Sequence, residues 1–133
     1  MKLVQEHPDW SRYAWLGIAK YNAGKKDFRS AYEMIERFGE AVALPRIAPG
    51  ASLEELENRY RAAPDNYAVG YALYREQLQH GRGDDALLTV RHFSGRANSP
   101  AYFRFLEAES WAAKQNWERA WNAWLAYREA IRK

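Results

Sequence analysis

The feature that most constrains this chain is a stripe of rings around a small residue near its C-terminus: Trp117, Ala120, Trp121, Trp124 and Tyr127. Steps of three and four place these side chains on one face of a helix. A helix with large rings flanking an alanine lets a second helix approach closely at the alanine while the rings wrap around it. The device occurs three times. Phe28, Ala31, Ile35 and Phe38 form a second instance, and Ala86, Val90 and Phe93 a weaker third. Repetition of one close-approach surface points to stacked helical hairpins and to an all-α fold.

The spacing supports this. Ala86 and Ala120 lie 34 residues apart, a period that marks a repeated helix–turn–helix unit. Ala31 to Ala86 is 55, longer by 21, and residues 41–63 supply the surplus as a connector and an extra helix. Seven helices are expected. The first runs from about Asp9 to Ala23 and the second from Phe28 to Glu40, with Asp27 as N-cap. A third occupies 52–63, opened by a capping box of Ser52 and Glu55. A fourth starts at Asp65 or Asn66 and reaches His80. A fifth opens at Asp84 or Asp85 and ends near Ser94. Ser99-Pro100 reads as the start of a sixth, ending at Lys114. Asn116 caps the seventh. The hairpins therefore cover about 9–40, 66–94 and 99–132, within a single domain. Residues 41–51 contain two prolines and a glycine and read as an extended connector. The preferred reading is a strap over the edge between hairpins. The alternative folds Leu44, Ile47 and the prolines into a groove and shortens it.

Composition excludes several classes. No cysteine is present, so disulfide frameworks, thiolate metal sites and a cysteine nucleophile are ruled out. No apolar run is long enough to span a membrane. The start of the chain lacks the apolar core of a signal peptide, which favours the cytoplasm without fixing the compartment. Residues 1–66 hold ten bases and ten acids, and residues 67–133 hold ten and seven. Interleaved signs of this kind are those of solvated helices and argue against a nucleic-acid partner.

With these residues in view, the chain resembles the tetratricopeptide-repeat proteins. Residues 101–130 carry the likeness best, through Ala108 and Trp111 on one helix and Trp117, Ala120 and Trp124 on the next. Residues 12–38 match through Trp15, Ile18-Ala19, Phe28 and Ala31. Leu16-Gly17 is similar to the family's Leu-Gly pair but stands two residues too far from Phe28. Residues 67–93 match through Leu73, Gly81 and Ala86 and depart at Tyr74 and Gly83. Glu107 stands where leucine is usual. The resemblance implies a short right-handed superhelix of about three antiparallel hairpins plus one additional helix. It also implies an inner groove lined by the first helix of each hairpin. That groove would present Tyr13, Leu16 and Lys20, then Tyr71 and Arg75, then Tyr102, Phe105 and Glu109. Several of these rings have core packing as their alternative. The two-carboxylate clamp of the chaperone-binding members is not reproduced. Only Lys20 and Arg75 are basic, and Tyr102 and Leu106 stand where further bases are expected.

No catalytic or metal-binding arrangement emerges. His7, His80 and His92 are not spaced as ligands and read as surface histidines. Gly81-x-Gly83 has no preceding strand and reads as a hairpin turn. Asp84-Asp85 suits a helix start, where the dipole favours acids. The expectation is a non-enzymatic, cofactor-free module that binds a protein or peptide segment. The alternative is structural assembly, with a second copy or within a longer parent chain, through Leu125 and Ile131 on the last helix.

Overall fold

The computed structural model describes residues 8–46 and 50–132, with side chains from Ala14 onward. The described residues are all-α and carry no strand: α1 (Pro8–Gly24), α2 (Phe28–Phe38), α3 (Leu53–Ala62), α4 (Tyr67–Gln79), α5 (Gly83–Ser94), α6 (Tyr102–Ala113) and α7 (Trp117–Ile131).

Three of the inter-helix turns are the same object. After α1, α4 and α6 the chain places one residue in the left-handed region: Lys26 (φ 65°), Gly81 (φ 70°) and Gln115 (φ 61°). In each, the next amide reaches back to close the helix. Asp27 N–H donates to the Asn22 carbonyl at 2.9 Å, Arg82 to Gln77 at 2.8 Å and Asn116 to Trp111 at 2.9 Å. This is the Schellman closure, which satisfies otherwise orphaned helix-end carbonyls. Each left-handed residue lies five positions before a small residue, Ala31, Ala86 or Ala120, and all three alanines have no exposed surface. The repeat read from alanine spacing is therefore also a repeat of backbone geometry.

Side-chain caps set most helix starts. Asp27 accepts from the Ser30 amide (3.2 Å), Ser52 from Glu55 (3.1 Å), Asn66 from Val69 (3.2 Å) and Asn116 from Arg119 (3.3 Å). At α4 the cap is Asn66, while Asp65 pairs instead with Arg96. Helix α6 starts later than Ser99-Pro100 predicts. Residues 100–104 form tight i+3 bonds, Phe103 N–H to Pro100 and Arg104 N–H to Ala101, and the α-helix begins at Tyr102. Ser99 Oγ, expected as a cap, has no hydrogen-bond partner.

Helices α1–α2, α4–α5 and α6–α7 pack as hairpins, α5 packs on α6, and α3 packs on α4. The first hairpin does not follow in sequence order. It docks at the far end of the array, with α2 on α7, so the packing order is α3, α4, α5, α6, α7, α2, α1. Its direction is also reversed. Tyr32, near the start of α2, lies 6.0 Å from the ring of Trp117 at the start of α7. Gly39 to Val42, just past the end of α2, border Trp124 further along α7. Helices α2 and α7 thus run parallel, whereas consecutive helices of a hairpin array run antiparallel.

Two cores result, and α6 is the wall between them. On one side Trp15, Leu16, Ala19, Ala31, Tyr32, Ile35, Ala108, Ala120, Trp121 and Trp124 unite α1, α2, α6 and α7. Trp124 meets Trp15 at 5.6 Å and Trp121 at 5.8 Å. The indoles of the C-terminal stripe therefore hold the N-terminal hairpin in place. On the other side Tyr71, Tyr74, Ala86, Val90, Phe93, Phe103 and Leu106 unite α4, α5 and α6. There Phe93 stacks on Phe103 at 4.6 Å. Gly70 on α4 makes room for this: a Cβ at that position would sit 2.2 Å from the Phe93 ring. Glu107, in place of leucine, accepts hydrogen bonds from Ser94 of α5 and from the Trp111 indole (3.0 Å), so its carboxylate links α5 to α6.

Candidate functional site

The docking of α1–α2 at the far end dictates the path of residues 39–52. They must return from α2 to α3, across the width of the array. A helix of fourteen residues would cover only about 21 Å, whereas an extended chain covers about 3.5 Å per residue. In the described part of this segment, 39–46 and 50–52, no residue is helical. The crossing runs along the face of the first helices. Gly39 to Val42 border Phe105 and Glu109 of α6, and Pro45, Arg46, Gly50 and Ala51 border Tyr71, Ala72 and Arg75 of α4. The edge-covering strap preferred from the sequence is thus replaced by a chain laid over the groove face. Ile47 and Pro49, invoked for that alternative, lie outside the described residues.

Two clefts remain beside this crossing. The first, about 560 Å³, has α3 and α4 on one side and the connector on the other. Leu56, Val69, Tyr71 and Ala72 give it an apolar floor, and Arg46, Arg59, Arg75, Glu76 and Gln79 surround it. Tyr71 is nearly buried and packs edge-on against Tyr102 at 5.7 Å. Arg59 lies 3.7 Å from Glu55 with both side chains more than half exposed, a geometry worth little energy. Glu76 is 4.0 Å from His80.

The second cleft, about 470 Å³, lies between α2, α6 and α7 and is acidic. Glu36 and Glu109 line it with Tyr32, Phe105 and Trp124. Burial pushes the Glu109 carboxyl above the usual carboxylate range, and repulsion by Glu36 adds to this, while the hydrogen bond from Tyr32 opposes it. One side of Glu109 stays open to solvent, which screens these charges. Tyr32 is fully buried, and its hydroxyl donates to Glu109 at 3.4 Å. Burial, followed by the charges of Glu109 and Glu36, raises its phenol far above the ordinary value.

The sequence-derived groove residues divide accordingly. Tyr71 and Arg75 line the first cleft, and Tyr102 packs behind Tyr71. Phe105 and Glu109 line the second. Leu16 is buried in the core with Trp15 and Ala19, where α1 meets α2. Lys20 is exposed on α1 and lines neither cleft. The Tyr13 side chain lies outside the described residues, as does His7. His80 is exposed, but His92 is half-buried against Tyr60 and Phe93. Sequence reasoning missed Arg46, Arg59 and Ala72 at the first cleft, and Tyr32 and Glu36 at the second. Arg46 had one available signal, as the single charge within an otherwise apolar connector.

Among the described residues, no group of three or more His, Cys, Asp or Glu could hold a metal ion, and no helix is long and apolar enough to cross a membrane. No family model, no curated protein and no solved structure matches the chain.

Proposed function

We propose that this chain is a non-enzymatic interaction module of tetratricopeptide-like build that binds a segment of a partner protein along its first-helix face. The observation that carries the reading is the first cleft. Tyr71 and Arg75, on α4, border an open volume of about 560 Å³ with an apolar floor and a charged rim. Such a floor and rim suit a peptide, whose apolar side chains supply affinity and whose polar groups supply register. The connector narrows the groove to a slot, so the expected occupant is a short segment in extended form.

Phage-displayed peptides selected on the wild-type domain test this reading. Selected peptides are expected to lose binding to Ala72→Trp, which fills the slot, provided circular dichroism shows the variant to be folded. Selected peptides that bind Ala72→Trp as well as wild type would refute the assignment. The alternative, self-assembly through the last helix, has less to stand on. Leu125 packs against the cluster that α1 and α2 complete, so of the two residues this alternative invokes Ile131, 55% exposed, is the one left open.

A further inference from the structure

We propose that the second cleft receives an arginine side chain from a segment of a partner protein. The inference rests on the interaction-module reading and adds one contact of stated chemistry, on the first-helix face but apart from the first cleft. The cavity itself is the first support. It is an open volume of about 470 Å³ with walls from α2, α6 and α7 and from Gly39 to Val42, where the connector leaves α2. Phe105 and Trp124 give it an apolar wall. Phe105 is half-buried and its ring is held by Tyr127 at 5.7 Å, while Trp124 is held by Trp15 at 5.6 Å and Trp121 at 5.8 Å. These contacts fix the wall before anything binds, which lowers the ordering cost of an occupant.

Charge is the second support. Glu36 from α2 and Glu109 from α6 reach one volume from two separate elements, and no Lys, Arg or His lines it. Among the described residues neither carboxylate forms an ion pair. The one hydroxyl in the lining, that of Tyr32, is already given to Glu109. Despite that bond, burial and then repulsion by Glu36 still hold the Glu109 carboxyl above its usual range. A cation between the two would turn this repulsion into attraction. Arginine answers the charge and the wall together. Its planar guanidinium offers paired donors to carboxylates, and its flat face and aliphatic stem pack on rings. Lysine carries a compact, strongly hydrated charge that serves the rings less well. A metal ion would leave the rings unused, and the described residues hold no group able to bind one.

NMR titration of the isotope-labelled protein with an alanine heptapeptide carrying one central arginine tests this. The comparison probe has citrulline at that position, which keeps the shape and loses the charge. The arginine peptide is expected to shift the Trp124 indole N–H and the Phe105 and Glu109 amides, and the citrulline peptide to leave them in place. Affinity is expected to fall about fivefold in Glu36→Gln, further in Glu36→Gln/Glu109→Gln, and also with added salt. Both replacements remove like-charge repulsion, and glutamine still accepts from Tyr32, so wild-type melting is expected alongside the lost binding. The citrulline comparison needs no variant. Equal binding of the two peptides, or arginine binding unchanged by the double replacement, overturns the proposal. So does N-acetyl-arginine amide binding as tightly as the heptapeptide, because the occupant would then be a free guanidinium compound and not a partner segment. If selected peptides are blocked by Ala72→Trp while the arginine heptapeptide leaves the second cleft unshifted, this inference fails and the groove reading stands. If neither the selected peptides nor the arginine heptapeptide bind, both fail.

Discussion

The packing of α4 on α5 makes a prediction in which one substitution has opposite signs at two sites. In Gly70→Ala the new Cβ would meet Phe93 Cε2 at 2.2 Å and Cζ at 2.5 Å. Ordinary contact begins near 3.4 Å, so the ring would have to retreat by more than an ångström. It has nowhere to go. Phe93 has no exposed surface and is held by Phe103 at 4.6 Å, His92 at 4.9 Å and Tyr67 at 5.7 Å. Overpacking of this kind costs about 1–3 kcal/mol. Alanine recovers about 1 kcal/mol through helix propensity. At so short a distance the clash falls at the upper end of that range, so a net loss of about 2 kcal/mol is expected, or roughly 5–10 °C in melting temperature. Gly17→Ala is the control. Nothing lies within 4 Å of its added Cβ, so the propensity gain should appear alone, as a stabilisation of about 0.5–1 kcal/mol. Urea and thermal denaturation followed by far-ultraviolet circular dichroism measure both. A Gly70→Ala variant as stable as wild type would refute the close approach of the two helices.

Further outcomes follow from the same structure. Trp124→Ala removes an indole shared by α7 and Trp15 of α1 and should cost about 3–5 kcal/mol, with the N-terminal hairpin becoming sensitive to protease; wild-type melting and wild-type resistance would contradict the shared core. Gln115→Gly relieves a non-glycine residue at φ 61° and should raise stability by about 0.5–1 kcal/mol in a urea titration, whereas a loss would mean that the turn is not left-handed in solution. Tyr32 has its folded phenol raised above the unfolded value, so its contribution is fully present below about pH 10 and is lost as pH rises toward the folded value. Urea midpoints should therefore hold to about pH 9 and fall above pH 10, and Tyr32→Phe should flatten that fall; an identical alkaline profile in the variant would refute the assignment.

What the sequence made legible was local. Caps at Asp27, Ser52, Asn66 and Asn116 and turns before Ala31, Ala86 and Ala120 depend on a few neighbouring residues, and the helices stand where those residues require. Docking was not legible. The ring-bearing faces of α1 and α2 are apolar whichever neighbour they meet, and nothing in Trp15 or Ile35 says whether that is α4 or α7. Tertiary fit to Trp121, Trp124 and Ala120 decides it. That choice sets α2 against α7, which is why Tyr32 faces a cleft. Arg46 was hidden for a different reason. The connector has no periodicity, so its position over α4 follows only from the two ends it must join.

The connector lies over the first-helix face because the N-terminal hairpin docks on α7 and not beside α3, and the slot exists for the same reason. Spin labels on cysteines introduced at Arg29 and Glu118 test this directly, since the chain has no other cysteine to label. Both positions are exposed and border the same surface recess between the α1–α2 and α6–α7 turns. Neighbouring helix axes lie about 8–10 Å apart, so a pulsed dipolar measurement should return one short distance, under roughly 25 Å. A first hairpin stacked beside α3, four helices away from α7, would instead give a distance beyond roughly 30 Å and would contradict the account.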